Sequence, residues 1–272
     1  GRCAVAGSFQ TSATFSGTGL SGTGVEALAL VYNSAGTLQW ARSGGGNATD
    51  IADGVAIDAS GNVVICGKYG AAATFAGNAL PYNAGDEGFT VKYNSGGTLQ
   101  WITTVNGVGN QESRGVATDA SGNVYVTGAI EQTASFGTFI AASTGGRDMF
   151  LIRYRSNGTV DWLRRGGSTA DDQGNSIVVD AQGNIYVGGT FNNTMEVWSI
   201  DAVTAGSSDA FLAKFDADGR PQWVERGGGG AADDGAALTV SANGDHAYMA
   251  GTFAYNGGGD PPSIFGPDSL RG

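Results

Sequence analysis

Asp50, Gln111, Asp172 and Asp233 stand at equal intervals along the chain, and each places an oxygen-bearing side chain in or beside a glycine-rich stretch. Carboxylates gathered from such positions could hold a hard cation such as calcium, or accept hydrogen bonds from sugar hydroxyls. Two carboxylates could also divide the acid and base roles of glycoside cleavage. The plainer role is local: an Asp in a glycine loop accepts N–H groups of that loop and shapes it. A residue that returns in every copy serves the copy, so the local role has first claim and ligand binding is the alternative. The same holds for Glu26, Glu87, Asp148 and Asp209, which recur before a strand, while Asp53, Asp171 and Asp234 neighbour the first series.

Other chemistry is scarce. His246 is the sole histidine, so neither a zinc site nor a Ser-His-Asp triad can be assembled. Asp216-Ala217-Asp218-Gly219 resembles part of a calcium loop but lacks the distal ligands, and it stands where other copies carry Asn-Ser turns. It reads as a hairpin, and no cofactor is expected. Trp198 is a different case. Its counterparts are Ala76 and Gly137, and a non-repeated aromatic on a connection is a better contact candidate than a repeated one. Tyr82 and Tyr255 are similar exceptions. Cys3 and Cys66 fall in equivalent strands of successive copies, and a disulfide between them requires those strands to converge.

These residues are positioned by a repeat. Trp40, Trp101, Trp162 and Trp223 recur at one constant interval, and Gly61, Gly122, Gly183 and Gly244 recur at the same one. Each copy predicts four strands. The first is Val55 to Asp58 and its matches. A tight Asp-Ala-Ser-Gly-Asn type turn follows, then an apolar run such as Val63 to Gly67, buried on both faces. A longer connection carries a hydrophobic plug six residues past the strand end: Phe9/Phe15, Tyr69/Phe75, Ile130/Phe136, Phe191/Val197. The third strand alternates, as in Phe89, Val91 and Tyr93, with Lys92, Arg153 and Lys214 on the other face, which predicts a half-buried strand. The fourth holds the Trp. Pro221 within it marks an outer edge, because proline cannot donate to a ladder. The four Trp read as core wedges between units.

Such units arranged around an axis form an all-β propeller of four-stranded antiparallel blades. Asp209 to Trp223 and Asp171 to Phe191 resemble the bacterial seven-bladed β-propeller repeat, SBBP. The resemblance extends over nearly the whole chain. It implies a propeller within large secreted or surface proteins, with no particular ligand and no catalytic residue.

The repeats divide the chain approximately as 1–53, 54–114, 115–175, 176–235 and a partial 236–272, one propeller domain or a piece of one, with four to five blades. The fifth copy's first strand could pair with the chain's first strand and close a four-bladed ring. A five-bladed ring or part of a larger propeller are the alternatives, and the last is favoured because both ends read as cut. The final stretch from Asp260 to Gly272 reads as loop.

Composition sets the outer limits. Glycine, at 48 of 272 residues, and only 14% charged residues suit many turns and argue against helices. With 41% hydrophobic and 10% aromatic residues the chain can build a core. A net charge of −11 disfavours nucleic acid and anionic membrane surfaces, and no apolar run is long enough to insert in a bilayer. The resulting expectation is a non-enzymatic extracellular or cell-surface module for adhesion or protein interaction, with a protein or glycan bound at a loop face, or assembly into a larger body. A lectin-like binder using Trp198, Tyr82 and the Asp loops is the first alternative. A hydrolase or lyase with channel carboxylates is the second.

Overall fold

A computed structural model describes residues 1–197, 200–241 and 244–254, and the backbone of Ser263–Phe265 and Asp268–Leu270. The first unit supplies β1 (Arg2–Phe15), β2 (Thr18–Asn33) and β3 (Leu38–Gly46). The second supplies β4 (Asp50–Ile57), β5 (Val63–Tyr69), the short β6 (Ala73–Phe75) and β7 (Asn78–Ala79), then β8 (Glu87–Tyr93) and β9 (Leu99–Gly107). The third is β10 (Gln111–Thr118), β11 (Val124–Phe136), β12 (Phe139–Tyr154) and β13 (Val160–Gly166). The fourth is β14 (Gln173–Val179), β15 (Ile185–Val197), β16 (Ile200–Phe215) and β17 (Pro221–Gly228). The fifth has β18 (Asp234–Val240), β19 (Ala247–Thr252), β20 (Ser263–Phe265) and β21 (Asp268–Leu270).

Pairing within a unit is antiparallel and sequential: β4–β5–β8–β9, β10–β11–β12–β13 and β14–β15–β16–β17. The turns follow from side chains close in sequence. Asp58 Oδ1 accepts the N–H groups of Ser60 and Asn62, each at 2.9 Å, and Gly61 takes φ +78°. Asn94 and Gly97 do the same between β8 and β9. Asp216 Oδ1 accepts from Asp218 and Arg220 in this way, which makes that segment a hairpin turn.

The core lies between units. Val31 and Trp40 of the first pack on Ile65, Phe89 and Tyr93 of the second. Val64, Cys66 and Val105 pack on Val126, Phe150 and Tyr154 of the third. Tyr125, Leu151 and Trp162 pack on Val187, Phe191 and Phe211 of the fourth. Each sheet is therefore covered by the next one, the arrangement a repeat needs to bury faces it cannot cover alone.

Four sequence expectations are corrected. The long connection of the repeat is largely a continued hairpin: β11 and β12 stay paired to Phe136 and Phe139, with a bulge at Gln132. The third strand of the second unit is not half-buried, because β8 is buried along its whole length, whereas in β16 Leu212 and Lys214 stay partly exposed between buried Phe211, Ala213 and Phe215. Lys92 is tolerated there because it pairs with Asp58 at 2.9 Å and donates to the Gly122 carbonyl at 3.1 Å. The closing stretch includes β20 and β21 and is not all loop. The ring-closing pair is not made: β1 pairs with β2, and β18 with β19.

The continued hairpins join the units. Gly44–Gly46 of β3 pair with β6, Asn106 and Gly107 of β9 with β11, and Gly227 and Gly228 of β17 with β20. Gly167 bridges to Glu196. The plugs Phe75, Phe136 and Val197 are fully buried at these seams. Pro221 pairs with Phe215 on one side, and the ladder from β20 begins only at Gly227, as an outer-edge position requires.

Candidate functional site at the inner strand ends

Strands β4, β10, β14 and β18 begin at the recurrent Asp or Gln, or next to it, and lie side by side. A cavity of about 500 Å³ is lined by Ile51, Asp53, Lys68, Glu112, Arg114, Gln173, Asn175, Asp234 and Ala236. Residues of β4 and β18 bound the same space, so the four strands curve around it. This mouth is where side chains from several units converge.

The recurrent acids are not part of it. Asp50, Gln111 and Asp172 are fully buried and Asp233 nearly so. Asp50 accepts the N–H of Gly46 at 2.6 Å and of Gly70 at 3.2 Å. Asp172 accepts from Ser168 at 2.7 Å and Asn192 at 3.0 Å. Asp233 accepts from Gly229 at 2.8 Å and Ala254 at 3.0 Å. Gln111 accepts from the N–H of Glu131 and donates to its carbonyl. One side chain thus ties the loop before an inner strand to the end of the neighbouring strand. Burial pushes the carboxyl of Asp50 above its ordinary range and that of Asp172 up to about 6, because the charged form loses water.

The second acidic series does related work. Glu87 accepts from Asn83 at 3.0 Å and Gly107 at 2.9 Å, and Asp209 from Ala205 at 2.8 Å. Arg165 pairs with Asp148, and Arg226 with Asp209 at 2.8 Å.

At the mouth the chemistry differs from unit to unit. One column of equivalent repeat positions reads Ile51, Glu112, Gln173, Asp234; the next reads Asp53, Arg114, Asn175, Ala236. Lys68 pairs with Asp86 at 2.7 Å and Glu112 at 3.0 Å, and Arg114 pairs with Glu112 at 2.5 Å. Arg114 donates to Asn175 at 3.3 Å, Asn175 to Asp234 at 3.1 Å, and Thr190 to Asp234. A polar chain therefore crosses four units. Burial opposes the charge on Glu112, but Arg114 and Lys68 more than offset it and hold its carboxyl below the usual range. Asp53 is exposed on its open side, and no hydrogen bond reaches it among the described residues. Crowding by the protein raises its carboxyl, with Arg114 pulling the other way. A second cavity of about 420 Å³ adjoins, lined by Asp86, Glu131, Arg147 and Asp171 among others.

Of the sequence candidates, Tyr82 is exposed on the connection between β7 and β8 and lines neither of these cavities. Trp198 and Tyr255 lie outside the described residues. Trp40 and Trp162 are buried between units, while Trp101 and Trp223 are half-buried. Trp40 donates to the Ser95 carbonyl at 3.2 Å and Trp101 to that of Ser156 at 3.0 Å, each across a unit boundary. No disulfide joins Cys3 and Cys66: Cys3 is exposed on β1, whereas Cys66 is buried between the second and third units. No cluster of three metal-ligating side chains occurs among the described residues. Sequence reading missed Glu112, Arg114 and Asn175. The signal was present in the aligned repeats, where an equivalent position changes its chemistry from copy to copy.

Comparison with known proteins bears on the same repeat. Residues 162–193 match the sequence model of the SBBP β-propeller repeat. Regulatory protein FlaEY of Caulobacter vibrioides is 25% identical over 149 residues, covering 53% of this chain and 16% of that protein. An uncharacterized WD repeat-containing protein of Acanthamoeba polyphaga mimivirus is 24% identical over 185 residues, covering 59% of this chain and 13% of that protein. The match thus spans a small part of each relative's length.

Proposed function

We propose that this chain, which carries the SBBP β-propeller repeat, is a non-catalytic protein-interaction module displayed outside the cell or on its surface. In this reading each four-stranded set is a blade, the four to five blades belong to a larger propeller, and the mouth receives a segment of a protein partner. One observation carries it: the repeat stops repeating at the mouth, where Asp53, Arg114, Asn175 and Ala236 share one repeat position. A residue needed for folding recurs, as Asp50, Asp172 and Asp233 do, whereas a recognition surface gains from unlike groups held rigidly together. The names of the relatives, a regulatory protein and a WD repeat protein, agree with an interaction role. The reading calls on no cofactor. With a net charge of −11, approach of a basic segment is favoured over an acidic one.

Panning a phage-displayed peptide library against the purified chain tests this. The expected result is enrichment of peptides carrying Lys or Arg that lose affinity for the Asp53→Asn/Arg114→Gln double variant. No enrichment, or peptides that bind that variant equally well, overturns the reading.

A further inference from the structure

At the opposite ends of the strands the repeat has a gap. In the third unit the Tyr125 ring stands edge-on to Trp162 at 6.2 Å, and its hydroxyl donates to Asp119 at 3.1 Å. The Arg153 guanidinium covers Tyr125 at 5.6 Å, and Arg164 covers Trp162 at 5.1 Å. The fourth unit repeats the Tyr: Tyr186 stands 6.2 Å from Trp223 and carries Lys214 over its ring at 5.2 Å. In the second unit the residue at the Tyr position is Val64, and the residue at the Arg164 position is Thr103. Trp101 therefore lacks both side chains that surround Trp162.

The space is open. A cavity of about 530 Å³ is lined by Trp101, Gln100, Asp58 and Asn62 of one unit and by Ser121 and Ser156 of the next. This volume falls in the range of small-molecule sites, about 300–1,000 Å³. Tyr154, at 6.0 Å, and Gly158, neither of which lines the cavity, pack against the Trp101 ring, so the indole is held while part of it stays exposed. The cavity is electrically neutral, since its acid Asp58 is paired with Lys92 at 2.9 Å. An anion would meet Asp58 and a cation would meet Lys92, with no spare counter-charge for either. What remains is an aromatic wall ringed by hydroxyl and amide groups, which donate and accept without net charge.

We propose that this cavity is a saccharide-binding site that takes one neutral hexopyranose unit, with its C–H face against Trp101 and its hydroxyls toward Gln100, Asn62, Ser121 and Ser156. The site is at the far ends of the strands from the mouth and does not depend on the function proposed there. It also separates Trp101 from the other repeated Trp, all of which read in sequence as core wedges.

The test follows the Trp101 indole N–H by NMR, assigned with Trp101→Phe, during titration with the methyl pyranosides of glucose, galactose and mannose and with N-acetylglucosamine. A saturable shift with at least one sugar is expected. Val64→Tyr restores the side chain that the third and fourth units already accommodate and should weaken that binding at least tenfold, while Val64→Ala retains it. Should Val64→Tyr fail to fold, Thr103→Arg, which rebuilds the Arg164 contact, should give the same loss. No saturable shift with any of the four sugars, or undiminished binding in whichever filled variant folds, overturns the proposal.

Discussion

Gly44 of β3 lies directly opposite Phe75 of β6, and a Cβ on Gly44 would clash with carbons of the Phe75 ring. The glycine is thus a docking place for the next unit's plug, which also packs on Phe89 at 4.7 Å between ring centres. Gly44→Ala should destabilise the chain by about 1–3 kcal/mol through overpacking. Phe75→Ala should cost about 3–5 kcal/mol through the cavity it leaves. Urea denaturation measures both, and a Gly44→Ala chain as stable as the parent would show that the seam does not need this close approach.

Asp172 and Asp53 are separated by what they hold. Asp172→Ala leaves the N–H groups of Ser168 and Asn192 without their acceptor and should cost about 1–3 kcal/mol for each group that stays buried and unpaired. Asp53→Ala removes a side chain without a hydrogen bond and should stay within about 0.5 kcal/mol of the parent. Thermal denaturation of the two variants side by side would expose an error in this division if their order reversed.

Asp172 should also titrate late. Burial raises its carboxyl to about 6, whereas the unfolded chain titrates near the ordinary value of about 4. Between those values the folded state holds more protons than the unfolded one. The stability this group contributes is therefore complete below about pH 4 and is lost as pH rises through about 6. Carbon-13 NMR of labelled aspartates reads the midpoint directly, and a midpoint near 4 contradicts the expectation.

The two thiols should differ in reactivity. Cys3 is exposed, and burial raises the Cys66 thiol far above its ordinary range. One thiol per chain should react with Ellman's reagent under native conditions, and the second only after denaturation. Two fast-reacting thiols, or none, would be inconsistent with these positions.

Much of the fold was legible along the chain. The constant interval between the Trp residues set the units, Asp-to-Gly and Asn-to-Gly turns set the hairpins, and Pro221 marked the outer strand. These features are local: a turn residue binds the backbone two to four residues away, and strand period is read from adjacent side chains. Lys92 misled for the same reason, since its partner Asp58 lies in the turn after β4 and cannot be inferred from alternation. The continued hairpins were hidden because one side of each is paired to the preceding unit.

The sites divide in the same way. Sequence alone determined that acids recur beside glycine loops, and that Val64 and Thr103 stand where other copies have Tyr and Arg. Only the tertiary structure decided that Asp50, Asp172 and Asp233 are engaged with backbone N–H groups. It alone brought Glu112, Arg114, Asn175 and Asp234 to one mouth and left Trp101 facing an open cavity. The physical reason is distance along the chain. Hydrogen bonds within a turn are written into neighbouring residues, whereas a cavity is bounded by units a whole repeat apart and takes its chemistry from how they differ.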